Sequence, residues 1–264
     1  MSFIPENPDG SAGLRDVERS LNASSAIVYK NDYLRLSKTL TYSFLFVLPL
    51  LVLYELGTTF TGGYGSKRII ADIWIKDLFA TIGVSGTLPM TLIIVVIGAA
   101  IYYYERRQKI PIRPYYFGMM FAESLLYAVM VGSLVGMLVG QVFGMIMIPM
   151  LQMAESDSLA KQLVLSLGAG IYEELFFRLI LVTGLYALLR LLPISNRAQY
   201  VIAAVIGAAI FSAVHYIGTE EFAPSTFVFR FLMGLALNAL FLLRGFGIAV
   251  MTHALFDVIV TLRL

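Results

Sequence analysis

Long apolar stretches separated by short polar segments make up most of the chain after residue 38. A membrane-spanning helix needs about 20 mostly apolar residues. Seven stretches approach this length: Leu40–Leu56, Leu88–Tyr104, Phe117–Val139, Gln162–Leu189, Tyr200–His215, Phe227–Leu243 and Gly247–Leu262. Another, Ile69–Ile82, is apolar but contains Asp72, Lys76 and Asp77, so it predicts an interfacial helix or an eighth span. The pattern predicts an all-α fold, a polytopic membrane bundle of seven to eight transmembrane helices.

Charged residues separate two regions of the chain. Residues 1–38 contain five acidic and five basic residues, whereas the remainder is sparsely charged. We therefore expect a polar N-terminal tail over residues 1–37 and a helical membrane domain over residues 38–264. No internal repeat is evident in the sequence.

The composition limits the classes of protein to consider. The chain has 264 residues, 59% of them hydrophobic and 14% charged, with a mean hydropathy of +0.82. Soluble domains average about 45–50% apolar and about 25% charged, so an ordinary cytosolic enzyme is excluded. A net charge of +2 is too small for a nucleic-acid-binding surface. The absence of cysteine excludes a thiol nucleophile. The expected surroundings are the lipid bilayer, with no nucleic acid as a partner.

Basic residues between the spans predict an orientation in the membrane. Cytoplasmic loops carry an excess of lysine and arginine. The segment 105–116 contains four such residues, and others are Lys30, Arg35, Lys38, Arg190, Arg197 and Arg244. We therefore expect a multi-pass protein of the cell membrane with a cytoplasmic N-terminus.

Several ionisable residues fall inside the apolar stretches, where each costs roughly 2.5–3.5 kcal/mol on insertion scales. Isolated ones are Glu55 and Glu123, expected to be helix-end or inter-helix hydrogen-bonding groups, and Arg230, expected to reach the interface or to guide a substrate. The others include both histidines of the protein and are Glu173, Glu174, Arg178, His215, His253 and Asp257. Three helices thus each contribute at least one polar group, as in sites built within helical bundles.

Helical spacing predicts how these side chains pair. Residues four apart share one face of an α-helix, so Glu174 should pair with Arg178, and His253 should lie beside Asp257. Glu173 is rotated by about 100° from Glu174 and should face the two histidines. Each pair also has a purely structural interpretation. Glu174–Arg178 would brace its helix, His215 would be an interfacial residue, and His253–Asp257 would be a helix-stabilising hydrogen bond.

The order and spacing of four motifs resemble the CPBP family of intramembrane proteases, which includes CAAX prenyl proteases and bacteriocin-processing or self-immunity proteins. The motifs lie within residues 168–260. They are Glu173-Glu174-x-x-x-Arg178, Phe211-x-x-x-His215, Phe231-x-x-Gly234 and His253-x-x-x-Asp257.

The resemblance implies roles for the matching residues. Glu173 would activate the attacking water, His215 would help to bind it, and His253 with its neighbour four residues on would stabilise the oxyanion. Glu174 and Arg178 match the supporting pair. This chain has Asp257 where many members have asparagine, and an ionised carboxylate donates no hydrogen bond. Asp257 would therefore be protonated, orient His253 or bind a metal.

The residues themselves leave two routes for activating water. A glutamate with a histidine can act as a general base, worth typically 10²–10⁴-fold. Alternatively, Glu173, His215, His253 and Asp257 form a set that suits a divalent metal such as zinc. Either no cofactor or one divalent metal is therefore expected. The His-Glu-x-x-His pattern of common zinc proteases is absent from the sequence.

The most favoured hypothesis is an intramembrane endopeptidase that hydrolyses a membrane-anchored or lipid-modified protein or peptide. One alternative is a non-catalytic self-immunity or scaffold protein of the same fold. Another is a proton-coupled transporter that uses the same buried acids, although the paired repeats typical of transporters are not evident.

Overall fold

A computed structural model describes residues 32–61, 70–81, 83, 87–106, 110–144, 158–217 and 221–262. These residues are mainly helical, with no strand among them. The helices are α1 (Leu40–Phe60), α2 (Ile70–Thr81), α3 (Thr87–Glu105), α4 (Pro114–Phe143), α5 (Leu159–Gly168), a π-helix (Ala169–Val182), α6 (Thr183–Leu189), α7 (Asn196–Val214), α8 (Pro224–Arg244) and α9 (Phe246–Leu262).

The predicted all-helical architecture is confirmed for the described residues, and each predicted span overlaps a helix. In the part of the chain that the structure describes, four helices are long and apolar enough to cross a membrane, namely α1, α4, α7 and α8. Helix α9 is apolar but shorter, with 17 residues. The segment expected at the interface or as an eighth span is the 12-residue helix α2. The count of seven to eight transmembrane helices stays a prediction.

The N-terminal tail lies mostly outside the described residues, which begin at residue 32. Residues 32–36 form a helical turn, and Tyr33, Leu36 and Ser37 are buried. The end of the predicted tail therefore packs against the helical domain.

Helix α9 is the central element of the bundle. It packs against α1, α4, α5, α8 and the π-helix. Its residues from Gly247 to Ala254 are all buried. A helix that is apolar all round is expected to be enclosed by its neighbours, so α9 holds His253 in the interior.

Short connections join α6 to α7 and α8 to α9. Ser195 caps α7, its side chain accepting a hydrogen bond from the backbone N–H of Ala198. Only Gly245 separates α8 from α9, and its φ of +89° is a conformation that favours glycine. These tight turns make α6 antiparallel to α7 and α8 antiparallel to α9.

The start of α1 is capped by a residue far along the chain. The Glu105 carboxylate accepts hydrogen bonds from the backbone N–H groups of Leu40 (3.0 Å) and Thr41 (2.8 Å). A helix N-terminus has unpaired N–H groups and a positive dipole end. Glu105 therefore joins the end of α3 to the start of α1.

Candidate active site

The helix that carries the first motif is π-helical from Ala169 to Val182. A π-helix has i→i+5 hydrogen bonds and thus more residues in each turn than an α-helix. Successive side chains are consequently less than 100° apart. At its end, the Thr183 hydroxyl donates to the backbone oxygen of Arg178, five residues earlier, at 3.0 Å. This winding turns Glu173 and Glu174 towards the same neighbour, helix α9.

A glycine allows this helix to approach α9 closely. A Cβ atom on Gly170 would lie 2.6 Å from the Ala254 Cβ and 2.7 Å from its backbone nitrogen. Any larger side chain would separate the two helices. Gly170 therefore sets the distance between the glutamates and His253.

Glu174 is the buried link between its own helix and α9. Its Oε1 lies 2.9 Å from Arg178 Nη1, as the spacing predicted, and 2.7 Å from His253 Nδ1. Both Glu174 and Arg178 have at most 1% of their side chains exposed. The carboxylate accepts from His253, so Nδ1 carries a proton and Nε2 points elsewhere. The contact with His253 was not predicted, because ordinary α-helical geometry rotates Glu174 away from Glu173.

Glu173 lies between the two imidazole rings, as predicted. Its Oε1 is 4.0 Å from His215 Nε2, and its Oε2 is 3.9 Å from His253 Nε2. These separations are too long for direct hydrogen bonds. They are the spacing at which a bridging water is to be expected.

His215 ends helix α7 and is held in one orientation. Its Nδ1 lies 2.8 Å from the backbone oxygen of Phe211. A carbonyl oxygen only accepts, so Nδ1 carries the proton and the Nε2 of the neutral ring faces Glu173 as an acceptor. Counted from the α6–α7 turn, Glu173 lies 16 residues before Leu189 and His215 lies 19 residues after Asn196. The antiparallel helices therefore bring the two side chains to similar depths.

Phe211 forms a wall beneath the polar groups. Its ring lies 4.6 Å from the Arg178 Cζ and makes edge contacts with His215 and His253, at 5.0 and 6.2 Å between centroids. A cation over an aromatic face is stabilised by the ring quadrupole. The second motif thus contributes both a histidine and the aromatic ring that packs against Arg178.

The third motif serves packing. A Cβ atom on Gly234 would lie 3.1 Å from the Ala208 Cβ and 3.2 Å from the ring of Phe211. Gly234 therefore lets α8 approach α7 at the level of Phe211.

These groups open into one small cavity. Asp257 Oδ2 lies 3.6 Å from His253 Nε2, so the predicted pair shares a face. The cavity is lined by Glu173, Phe211, His215, Phe229, Arg230, Met233, Leu237, His253, Phe256 and Asp257. The first, second and fourth motifs therefore converge on this cavity, and Gly234 of the third motif packs against Phe211 in its wall. The contacts are confirmed, whereas the catalytic roles stay predictions.

Arg230 is the charged residue among the cavity-lining residues that no motif includes. From the sequence it was expected to reach the interface or to guide a substrate. The one feature of the sequence that marked Arg230 was its positive charge inside an apolar span, three residues after the span begins at Phe227.

The metal-binding alternative gains no support from the geometry. Among the described residues, no group of three or more histidine, aspartate or glutamate side chains is placed to hold a metal ion. The side chains of Glu173, His215, His253 and Asp257 are therefore not arranged as a zinc site in the described structure.

The other acids inside the spans join helices, as expected for isolated residues. Glu55 accepts a hydrogen bond from the Tyr172 hydroxyl at 2.7 Å. Glu123 accepts from Tyr33 and from Arg244, whose Nη2 lies 2.8 Å from Oε2. Neither glutamate lines the cavity.

The helices and the cavity define a class of protein: a helical membrane protein whose interior holds glutamate and histidine side chains around one cavity. The family model described as "Rce1-like: Type II CAAX prenyl endopeptidase Rce1-like" matches residues 155–259. This match confirms the resemblance inferred from the motifs and covers the part of the chain that carries them. Neither the curated proteins nor the solved structures gave a match.

Proposed function

We propose that the protein is an intramembrane endopeptidase that hydrolyses a peptide bond in a membrane-anchored or lipid-modified protein or peptide. The family match to prenyl endopeptidases supports a prenylated C-terminal segment as the substrate. The observation that carries the proposal is the position of Glu173, whose carboxylate lies about one water away from both His215 and His253.

The proposed reaction needs only groups that line the cavity. Glu173 takes a proton from the water, which is held by the acceptor Nε2 of His215, and the hydroxide attacks the carbonyl carbon. The carbonyl oxygen then becomes an oxyanion. His253 donates to it from Nε2 when doubly protonated, since Nδ1 already donates to Glu174. Glu173 returns its proton to the amine as the carbon–nitrogen bond breaks.

The burial of the site supports this division of roles. Glu174 and Arg178 are sealed inside the bundle, whereas 13% of the Glu173 side chain and 27% of the His215 side chain are exposed. Water therefore reaches Glu173 and not Glu174, although the two residues are adjacent in sequence. This supports Glu173 as the base and Glu174 as the residue that orients His253.

The test is cleavage of a fluorogenic farnesylated CAAX peptide by the full chain in proteoliposomes. Glu173→Gln and His253→Ala should each lower kcat by about 10²-fold or more. Glu55→Gln is the matched control, since it neutralises another carboxylate within the helices that does not line the cavity, and it should retain kcat within about twofold. Unchanged turnover in Glu173→Gln, with the protein folded, would overturn the proposal.

A further inference from the structure

Carboxylates lie close to the place in the cavity where negative charge develops during the proposed reaction. The π-helix contributes two glutamates, Glu173 and Glu174, and Arg178 neutralises the charge of Glu174. Helix α9 contributes Asp257 beside His253, and α7 contributes His215. Two carboxylates, those of Glu173 and Asp257, thus remain close to the imidazole of His253. An ionised Asp257 would repel an oxyanion formed next to His253.

Arg230 is the cation that α8 contributes to the same cavity. It lines the cavity together with Asp257. The Tyr216 ring lies 5.6 Å from its Cζ, on the side of the α7–α8 turn. Arg230 therefore lies between the cavity and the Tyr216 ring.

Aromatic packing fixes this arrangement of Arg230 and Asp257. Each residue has a buried phenylalanine next to it in sequence, Phe229 and Phe256, and the two rings are in contact at 6.0 Å between centroids. The start of α8 is also tied to α7, because the Ser212 hydroxyl donates to the backbone oxygen of Phe227 at 2.7 Å. The two helices therefore hold their charged residues in a defined register.

We propose that Arg230 is a positioning residue that acts through Asp257: it offsets the negative charge of that carboxylate and keeps it from opposing the oxyanion stabilised by His253. This inference rests on the proposed endopeptidase function. Under this proposal, Arg230 is needed only as long as residue 257 is negatively charged.

A double-mutant cycle on kcat tests the inference in the same peptide assay. Arg230→Ala should lower kcat by about 10- to 100-fold with KM within about twofold. The isosteric Asp257→Asn removes the charge, so Arg230→Ala should have less than about a threefold effect in that background. Arg230→Lys should retain most of the activity, since it keeps the charge. Arg197→Ala, an exposed arginine at the start of α7 outside the cavity, is the matched control and should be neutral.

The outcomes separate this inference from the proposed function. Suppose that Glu173→Gln abolishes cleavage. The inference about Arg230 is then overturned, and the endopeptidase proposal stands, in any of three cases: Arg230→Ala has no effect, it lowers kcat equally in the wild-type and Asp257→Asn backgrounds, or it raises KM alone. If the wild-type protein cleaves nothing, the endopeptidase proposal fails. The pairing of Arg230 with Asp257 is then tested by thermal unfolding of the wild type, Arg230→Ala, Asp257→Asn and the double variant. Arg230→Ala should lower Tm in the wild-type background but not in the Asp257→Asn background. An equal loss of Tm in both backgrounds overturns the inference.

Discussion

The Nδ1 atom of His253 lies 2.7 Å from Oε1 of Glu174, and the same oxygen lies 2.9 Å from Nη1 of Arg178. One buried carboxylate oxygen thus joins helix α9 to a guanidinium on the π-helix. The arrangement connects the stability of the bundle to the orientation of a catalytic candidate, and the two effects can be separated experimentally.

Replacing Glu174 by glutamine should harm both stability and activity. The variant leaves the buried Arg178 without a counter-charge, and breaking a buried ion pair costs about 3–5 kcal/mol. We expect the free energy of unfolding in mixed micelles to fall by about 3 kcal/mol and kcat to fall at least tenfold.

The double variant Glu174→Gln with Arg178→Met separates these effects. Removing both charges should restore most of the unfolding free energy, whereas kcat should stay low because His253 still lacks its carboxylate partner. Unfolding measurements in which the double variant is as unstable as the single one would contradict the assignment of Glu174 as the counter-ion of Arg178.

Gly170→Ala should move the two helices of the site apart. The added methyl group would meet the Ala254 Cβ and backbone nitrogen at 2.6 and 2.7 Å and the Val250 backbone oxygen at 2.8 Å, so a helix must shift. Overpacking of this kind costs about 1–3 kcal/mol, and we expect kcat to fall more than tenfold as Glu173 moves relative to His253. Peptide cleavage and unfolding of the purified protein measure both effects.

Gly136→Ala is the control for that substitution. A Cβ atom there meets nothing within 4 Å, and alanine has the higher helix propensity by about 1 kcal/mol. The control should therefore be neutral or slightly stabilising with full activity. Equal losses of activity in both variants would argue against a close approach at Gly170.

The Glu123–Arg244 pair should be structural only. Glu123 lies on α4, and Arg244 ends α8, with only 7% of its surface exposed. Glu123→Gln should reduce the unfolding free energy by about 3 kcal/mol, and kcat per folded molecule should not change. Asp32→Asn, which breaks more exposed ion pairs with Arg35 and Arg113, should cost less than about 1 kcal/mol. A large loss of kcat in Glu123→Gln would show that this cluster takes part in the reaction.

Tyr33 should make the fold sensitive to alkaline pH. Burial, followed by the hydrogen bond that its hydroxyl donates to Glu123, raises the pKa of Tyr33 above its usual value of about 10. The unfolded chain therefore loses this proton first, and the stability that it contributes is present below pH 10 and declines as pH rises further. Thermal unfolding between pH 9 and pH 11 should show a smaller decline for Tyr33→Phe than for the wild type, and parallel declines would contradict this.

Much of the candidate site followed from the sequence, because helical periodicity alone places residues on faces. The Glu174–Arg178 and His253–Asp257 contacts each join residues four apart in one helix. Because an unpaired buried charge is costly, the remaining acid, Glu173, was expected to lie beside the histidines. The expected roles of Glu55 and Glu123 as helix-joining groups followed from the same argument.

The contacts that escaped prediction depend on winding and on tertiary packing. The Glu174–His253 contact needs the π-helical turn, for which apolar periodicity gives no signal in so short a stretch. Arg244 and Glu123 lie 121 residues apart, and Glu105 caps a helix that begins 65 residues earlier. Arg230 enters the cavity because Phe229 meets Phe256, a contact between two helices that spacing within one helix does not reveal.

The π-helical stretch Ala169–Val182 makes the site depend on the number of residues in the chain as well as on their identity. Deleting one residue between Arg178 and Val182 would favour ordinary i→i+4 bonding without removing any motif residue. The helix before the deletion would then rotate relative to the helix after it, turning both glutamates away from α9. Two chains that carry the same four motifs can therefore differ in whether those motifs meet, and an alignment that tolerates gaps freely in this stretch would treat them as equivalent.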